Sequence, residues 1–176
     1  MELTTEQELI RDTVQEFVER EVEPRVDESD EKQEFPEDVW DTLADLGMTA
    51  MTVPEAYGGL DLETVSYSIV NEEIARELLA VSTALSVHGL ATSCIAEFGD
   101  EEIKETWLPE MAAGRPVGAF ALSEPEAGSN PAEMSTEARR EGAEFVINGK
   151  KQWITNGERS GVVVLFAKTD REDPNS

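Results

Sequence analysis

A change of apolar period at Arg115-Pro116 constrains this chain more than any other feature. Before that point apolar residues recur at helical spacing. Leu9, Ile10, Val14, Phe17, Val18 and Val22 form a first stripe, opened by capping-box spacing at Thr5-Glu6-Gln7-Glu8 and predicted to end at Pro24. Pro36 suits a first helical position, and Val39, Trp40, Leu43 and Leu46 follow it to Gly47. After a Pro- and Gly-punctuated loop, Asp61 is placed to cap a helix carrying Val65, Ile69, Val70, Ile74 and Leu78. A nearly uncharged stretch from Ser82 to Phe98 predicts a central helix, because it is apolar on most sides. Asp100 can cap a last one, with Ile103, Trp107, Leu108 and Met111.

Beyond Pro116 the runs shorten to β length: 117–122, 143–147, 151–155 and 162–168, separated by turn signals such as Asn148-Gly149 and Asn156-Gly157. The chain therefore reads as α+β: an all-helical N-terminal domain, residues 1–115, joined directly to a truncated antiparallel β domain, residues 116–176. Four runs followed by the polar tail Asp170–Ser176 leave sheet edges open, so a further portion or a homo-oligomer is expected to cover them.

Charge excludes two classes of partner. Asp and Glu number 39 against 14 Lys and Arg, a formal net charge of −25. Such a surface repels phosphate backbones and anionic headgroups, so neither a nucleic acid nor a membrane is expected as a partner. The acidic residues are spread along the chain, which predicts either an ordinary acidic protein or a halophilic one. The lone Cys94 gives no disulfide framework and no thiolate zinc site, and no metal site is expected. The first residues, MELTTEQELIRD, lack a cationic start and an apolar core, and no apolar run approaches membrane-spanning length; a cytoplasmic location is expected.

Two segments carry chemistry. Phe120-Ala121-Leu122-Ser123-Glu124-Pro125-Glu126-Ala127-Gly128-Ser129 runs from a strand into a turn with two hydroxyls, a proline and a glycine. Such a turn can aim N–H groups at an electron-rich ligand, or be a polar corner. Lys151-Gln152-Trp153-Ile154-Thr155-Asn156-Gly157 reads as a strand with Trp153 and Thr155 on one face, suited to a planar heteroaromatic ligand or to plain core packing.

In this order and separation the two segments resemble the flavin-binding signature of acyl-CoA dehydrogenases. Pro54-Glu55-Ala56-Tyr57-Gly58-Gly59, residues 70–76, residues 82–88 and residues 143–151 fit the same family, so the resemblance spans nearly the whole chain. It implies FAD as cofactor. Phe120, Ala121, Leu122 and Ser123, with Trp153, Ile154 and Thr155, would line the flavin, and Gly128 and Ser129 would approach its pyrophosphate. Leu122 and Ser123 would offer donors at the pyrimidine end of the ring. Thr155 would bond the ring edge near the hydride-accepting nitrogen. Ser129 would also lie near an acyl-CoA substrate. The implied reaction moves an α-proton to a glutamate and a β-hydride to the flavin, giving a trans-2-enoyl-CoA, with electron-transfer flavoprotein as electron acceptor.

The chain departs from the family pattern at Asn130, where an acidic residue is usual, and at Asp61, where a glycine commonly stands; a helix-capping role is expected for Asp61. No catalytic residue is nominated: the family's base belongs to a later portion, and Glu124 and Glu126 are expected to be solvated. His88 and Cys94 read as packing residues. Two functions remain: part of an acyl-CoA dehydrogenase that acts with a C-terminal portion, or a non-catalytic remnant that binds flavin weakly or associates with related subunits.

Overall fold

The computed structural model describes residues 2–169, so the expected tail at 170–176 lies outside the described residues. Helix α1 (Thr5–Phe17) is capped by Thr4, whose hydroxyl accepts from the Gln7 N–H while the Gln7 side chain accepts from the Thr4 N–H; the capping box sits one residue earlier than the sequence spacing suggests. Pro24 does not end the helical run. A π turn (Val18–Val22) leads into a 3-10 turn (Glu23–Arg25) whose early positions tolerate proline's missing N–H, and α2 (Val26–Lys32) continues to a left-handed stop at Gln33. Pro36 is the N-cap of α3 (Glu37–Asp45) rather than its first residue.

Between α3 and α4 (Thr64–Glu77) the chain folds tightly on itself. A Cβ at Gly59 would lie 1.8 Å from the Val53 carbonyl oxygen, so only glycine fits there. Asp61 is not a cap. It sits in left-handed backbone at φ 44°, and Glu63 takes the N-cap position. The glycine expected at position 61 thus corresponds to a conformation that glycine adopts without strain and that aspartate tolerates better than most residues.

Helix α5 (Leu79–Phe98) begins three residues earlier than predicted, after a break at Leu78. At 20 residues it is long and apolar enough to cross a membrane by length and composition, which corrects the sequence reading on that point. Its position explains its composition: Val81, Ala84, Leu85, His88, Ala91 and Ile95 are buried, so it packs as a central helix. α6 (Glu101–Ala112) starts as expected, with the Asp100 carboxylate accepting from the Ile103 N–H at 2.9 Å.

The β region holds β1 (Gly118–Ala121), β2 (Glu137–Glu141), β3 (Glu144–Asn148) and β4 (Val162–Leu165). β2 and β3 form the expected antiparallel type of pair, through a turn at Gly142 with φ 69°. β1 and β4 pair in parallel, with Gly118 opposite Val162 and Ala121 opposite Leu165, because the intervening chain crosses back before β4 begins. β2 was not anticipated, since Glu137-Ala138-Arg139-Arg140-Glu141 has no apolar run; its pairing with Phe145, Val146 and Ile147 makes it a strand.

The core joins both parts. Trp40, Leu43, Ile74 and Leu85 are fully buried and pack with Val117 at the start of the β region. The Trp40 indole N–H donates to the Gly114 carbonyl at 3.0 Å. Gly118 lies between α5 and α6, where a Cβ would meet Ala91 at 2.8 Å and Met111 at 2.9 Å.

Candidate functional site

β1 alternates across its two faces. Ala119 and Ala121 are buried, while Phe120 and Leu122 are half-buried on the other side, with the Phe120 ring 4.9 Å from that of Phe166. The chain then turns at 124–127, where Glu124 and Ala127 bond each other's backbone at 2.9 and 3.3 Å. Gly128 and Ser129 follow, exposed, with open space where a Gly128 Cβ would stand.

Glu124 is not solvated, contrary to expectation; it is 2% exposed. Its carboxylate accepts from the Ser135 N–H at 2.6 Å, the Ser135 hydroxyl at 2.7 Å, the Thr136 N–H at 3.0 Å and Lys151 Nζ at 2.8 Å. Burial alone would raise this carboxyl's pKa; the bonds from Lys151, Thr136 and Ser135 outweigh it and hold the group well below the usual carboxylate range. Lys151 also donates to the Leu122 carbonyl at 3.0 Å. Gln152 donates its backbone N–H to the Ser123 carbonyl at 3.0 Å and its side-chain amide to the Glu124 carbonyl at 3.1 Å. The two segments singled out in the sequence thus run side by side.

The expected strand at 151–155 is absent: these residues form a bend leading into a turn. Trp153 takes left-handed backbone at φ 59° and is 86% exposed, a strained placement for an aromatic residue with no packing to compensate it. Trp153 is therefore not core. Ile154 and Thr155 are half-buried beside it. Asn156, read only as a turn signal, anchors the bend: its side-chain amide donates to the Ala84 carbonyl at 2.9 Å and the Gly118 carbonyl at 3.0 Å. Asparagine tolerates the φ of 63° found there.

The donors left over define what the surface can hold. Among the described residues, the N–H groups of Leu122 and Ser123 and the hydroxyls of Ser123, Ser129 and Thr155 make no hydrogen bond. The exposed Trp153 follows Gln152, whose backbone N–H bonds the Ser123 carbonyl. An exposed aromatic and unspent donors on adjoining segments suit a planar, acceptor-rich heteroaromatic group such as a flavin ring.

His88 is fully buried and structural. Nδ1 accepts from the Gly118 N–H at 3.0 Å and Nε2 lies 3.0 Å from the Met111 carbonyl, so the neutral tautomer protonated on Nε2 satisfies both bonds. Desolvation pushes its pKa down to about 4. Burial, then Glu97, raises the pKa of the Cys94 thiol. Cys94 borders an apolar cavity of about 540 Å³ with Phe98, Ile103, Leu165 and Phe166.

Arg159 was missed by the sequence reading. Its guanidinium carbon sits 3.9 Å from the Phe35 ring centroid and 4.6 Å from that of Trp40, and Nε lies 2.8 Å from Glu37, tying the 153–159 bend to α3. Nothing in the local sequence pairs residue 159 with residue 37.

Comparison with known proteins shows the family. A family profile described as acyl-CoA dehydrogenase, N-terminal domain, matches residues 4–115, and one described as acyl-CoA dehydrogenase, middle domain, matches residues 119–176. The mitochondrial short-chain specific acyl-CoA dehydrogenase of Rattus norvegicus is 38% identical over 99% of this chain and 43% of its own length. A structure of acyl-CoA dehydrogenase complexed with FAD from Bacillus anthracis superposes with a TM-score of 0.88 at 33% identity, over 96% of this chain and 30% of that one. A structure reported for the electron transferring flavoprotein of Acidaminococcus fermentans superposes with a TM-score of 0.92 at 34% identity, over 98% of this chain and 46% of that one. The chain spans less than half the length of the curated relatives it matches.

Proposed function

The chain belongs to the acyl-CoA dehydrogenase family, and on that premise we propose that it supplies one wall of an FAD site in an enzyme that desaturates an acyl-CoA thioester to a trans-2-enoyl-CoA. The observation that carries the reading is the set of unspent donors at Leu122, Ser123 and Thr155 on two segments joined through Lys151 and Gln152, with Trp153 exposed on the second. When bound, FAD supplies a two-electron acceptor for the substrate's β-hydride. Leu122 and Ser123 would direct N–H and hydroxyl donors at one edge of the ring, where negative charge grows on reduction, and Thr155 would direct its hydroxyl at another. Phe120 and Ile154 would complete the wall, whereas Ala121 is buried on the opposite face of β1 from Phe120 and does not line it; Gly128 and Ser129 would lie by the pyrophosphate, with Ser129 also toward the acyl-CoA. We propose an electron-transfer flavoprotein as the electron acceptor, on the resemblance to the family.

Equilibrium titration of the 176-residue chain with FAD, followed by flavin fluorescence, tests the reading. Weak, saturable binding is expected, with cofactor lost on gel filtration because only one wall is present. A Trp153→Ala variant is expected to weaken binding about tenfold, the scale of one lost stacking contact. Equal affinity for parent and variant would remove Trp153 from the site.

We also propose adaptation to high salt, supported by 39 acidic residues against 14 basic ones. The ion pairs with both partners exposed, such as Arg20–Glu16, are each worth at most about 1 kcal/mol, so screening them costs little. Screening the repulsion among the excess carboxylates gains more. The unfolding midpoint followed by circular dichroism is expected to rise from low to molar KCl. A flat midpoint would exclude the adaptation.

A further inference from the structure

We propose that Glu124 and Lys151 are positioning residues for the ligand-facing donors: a buried ion pair whose work is to fix how the 122–123 segment sits against the 153–155 bend. The proposal rests on the flavin reading for its purpose, but not for its geometry.

Three successive carbonyls, those of Leu122, Ser123 and Glu124, accept from two successive residues, Lys151 and Gln152, the Glu124 carbonyl also from the Ala127 N–H. With those carbonyls tied off on one side, the Leu122 and Ser123 N–H groups remain unbonded among the described residues. The same Glu124 carboxylate gathers Ser135 and Thr136, so three separate stretches of chain converge on one side chain. Among the described residues this is the ion pair in which both side chains are at most a tenth exposed, at 1% for Glu124 and 10% for Lys151. A buried pair is a poor device for stability, since a well-packed neutral replacement often does as well. Fixing one arrangement of donors is what it does that a neutral replacement does not, and sites made of unspent donors depend on such support.

The test compares the parent chain with the Glu124→Gln/Lys151→Met double variant, which leaves no lone buried charge. Two readouts are taken: the equilibrium constant for FAD and the amide chemical shifts without ligand. The melting midpoint is expected to stay close to that of the parent, while the FAD dissociation constant rises at least tenfold. The amide signals of Leu122, Ser123 and Thr155 are expected to move, and that of Gly118, anchored by His88, to stay. Unchanged affinity with unchanged amide signals overturns the proposal. Should the parent itself show no binding at millimolar FAD, the flavin reading fails, and the amide signals decide the positioning role alone: movement upholds it and identity overturns it. If the double variant does not fold, Lys151→Arg, which keeps the charge but misplaces the donor, is read by the same criteria.

Discussion

Between pH 6.5 and pH 4 the folded chain is expected to lose about 3 kcal/mol of unfolding free energy through His88. The cause is desolvation: the ring is fully buried against Trp40, 5.4 Å away edge-to-face, and Arg159 adds a smaller repulsion toward a charged imidazole. Protonating Nδ1 would also remove the acceptor of the Gly118 N–H. The folded pKa lies below the unfolded value, so the unfolded chain takes up the proton first as pH falls. The contribution is whole above pH 6.5, erodes below it, and is exhausted near pH 4. The sequence holds one histidine, and ordinary carboxylates titrate lower, at about 4. The slope of stability between pH 7 and pH 5.5 therefore isolates this residue. Urea unfolding across that range is expected to show the slope in the parent and not in His88→Gln. The variant should be less stable at neutral pH by about 1–3 kcal/mol, for the Gly118 donor left unpaired. Equal slopes in both proteins would contradict the assignment.

Helix existence was legible because each stripe is amphipathic or uniformly apolar, and burial follows period. Boundaries were less so. Pro24 reads as a stop, yet proline within a 3-10 turn lets the chain stay helical to Lys32. The site divides in the same way. The two segments could be named because together they resemble a family's flavin-binding signature; that Trp153 is exposed could not be read from them. Nor could the clasp between them. Glu124 looks like any of 39 acidic residues until the fold brings Lys151, Ser135 and Thr136 around it. Likewise Trp153 alternates with Ile154 as in a strand, but Asn156 pulls the chain toward Ala84 and Gly118 and turns it out of the sheet. Long-range contacts of single polar side chains leave no periodic trace.

No dehydrogenase turnover above that of free FAD is expected from a polypeptide of these 176 residues given FAD and a panel of acyl-CoA thioesters. Removing an α-proton needs a carboxylate that is free to accept it, and a positioned base contributes about 10²–10⁴-fold to such a step. Glu124 is the carboxylate nearest the unspent donors in sequence, and it is disqualified twice. Its oxygens are committed to Ser135, Thr136 and Lys151, and its depressed pKa makes it a weak proton acceptor. Glu126 sits in the adjoining turn, exposed to water, where nothing fixes it against a substrate. Binding and catalysis should therefore separate in this chain: FAD titration can succeed where dye-coupled turnover fails. Glu124→Gln should leave the rate at the same floor, since a group without a proton-transfer role has no rate to lose. Saturable, acyl-CoA-dependent dye reduction by the purified polypeptide would show that a base lies within these residues. Loss of that rate in Glu126→Gln would then identify which one.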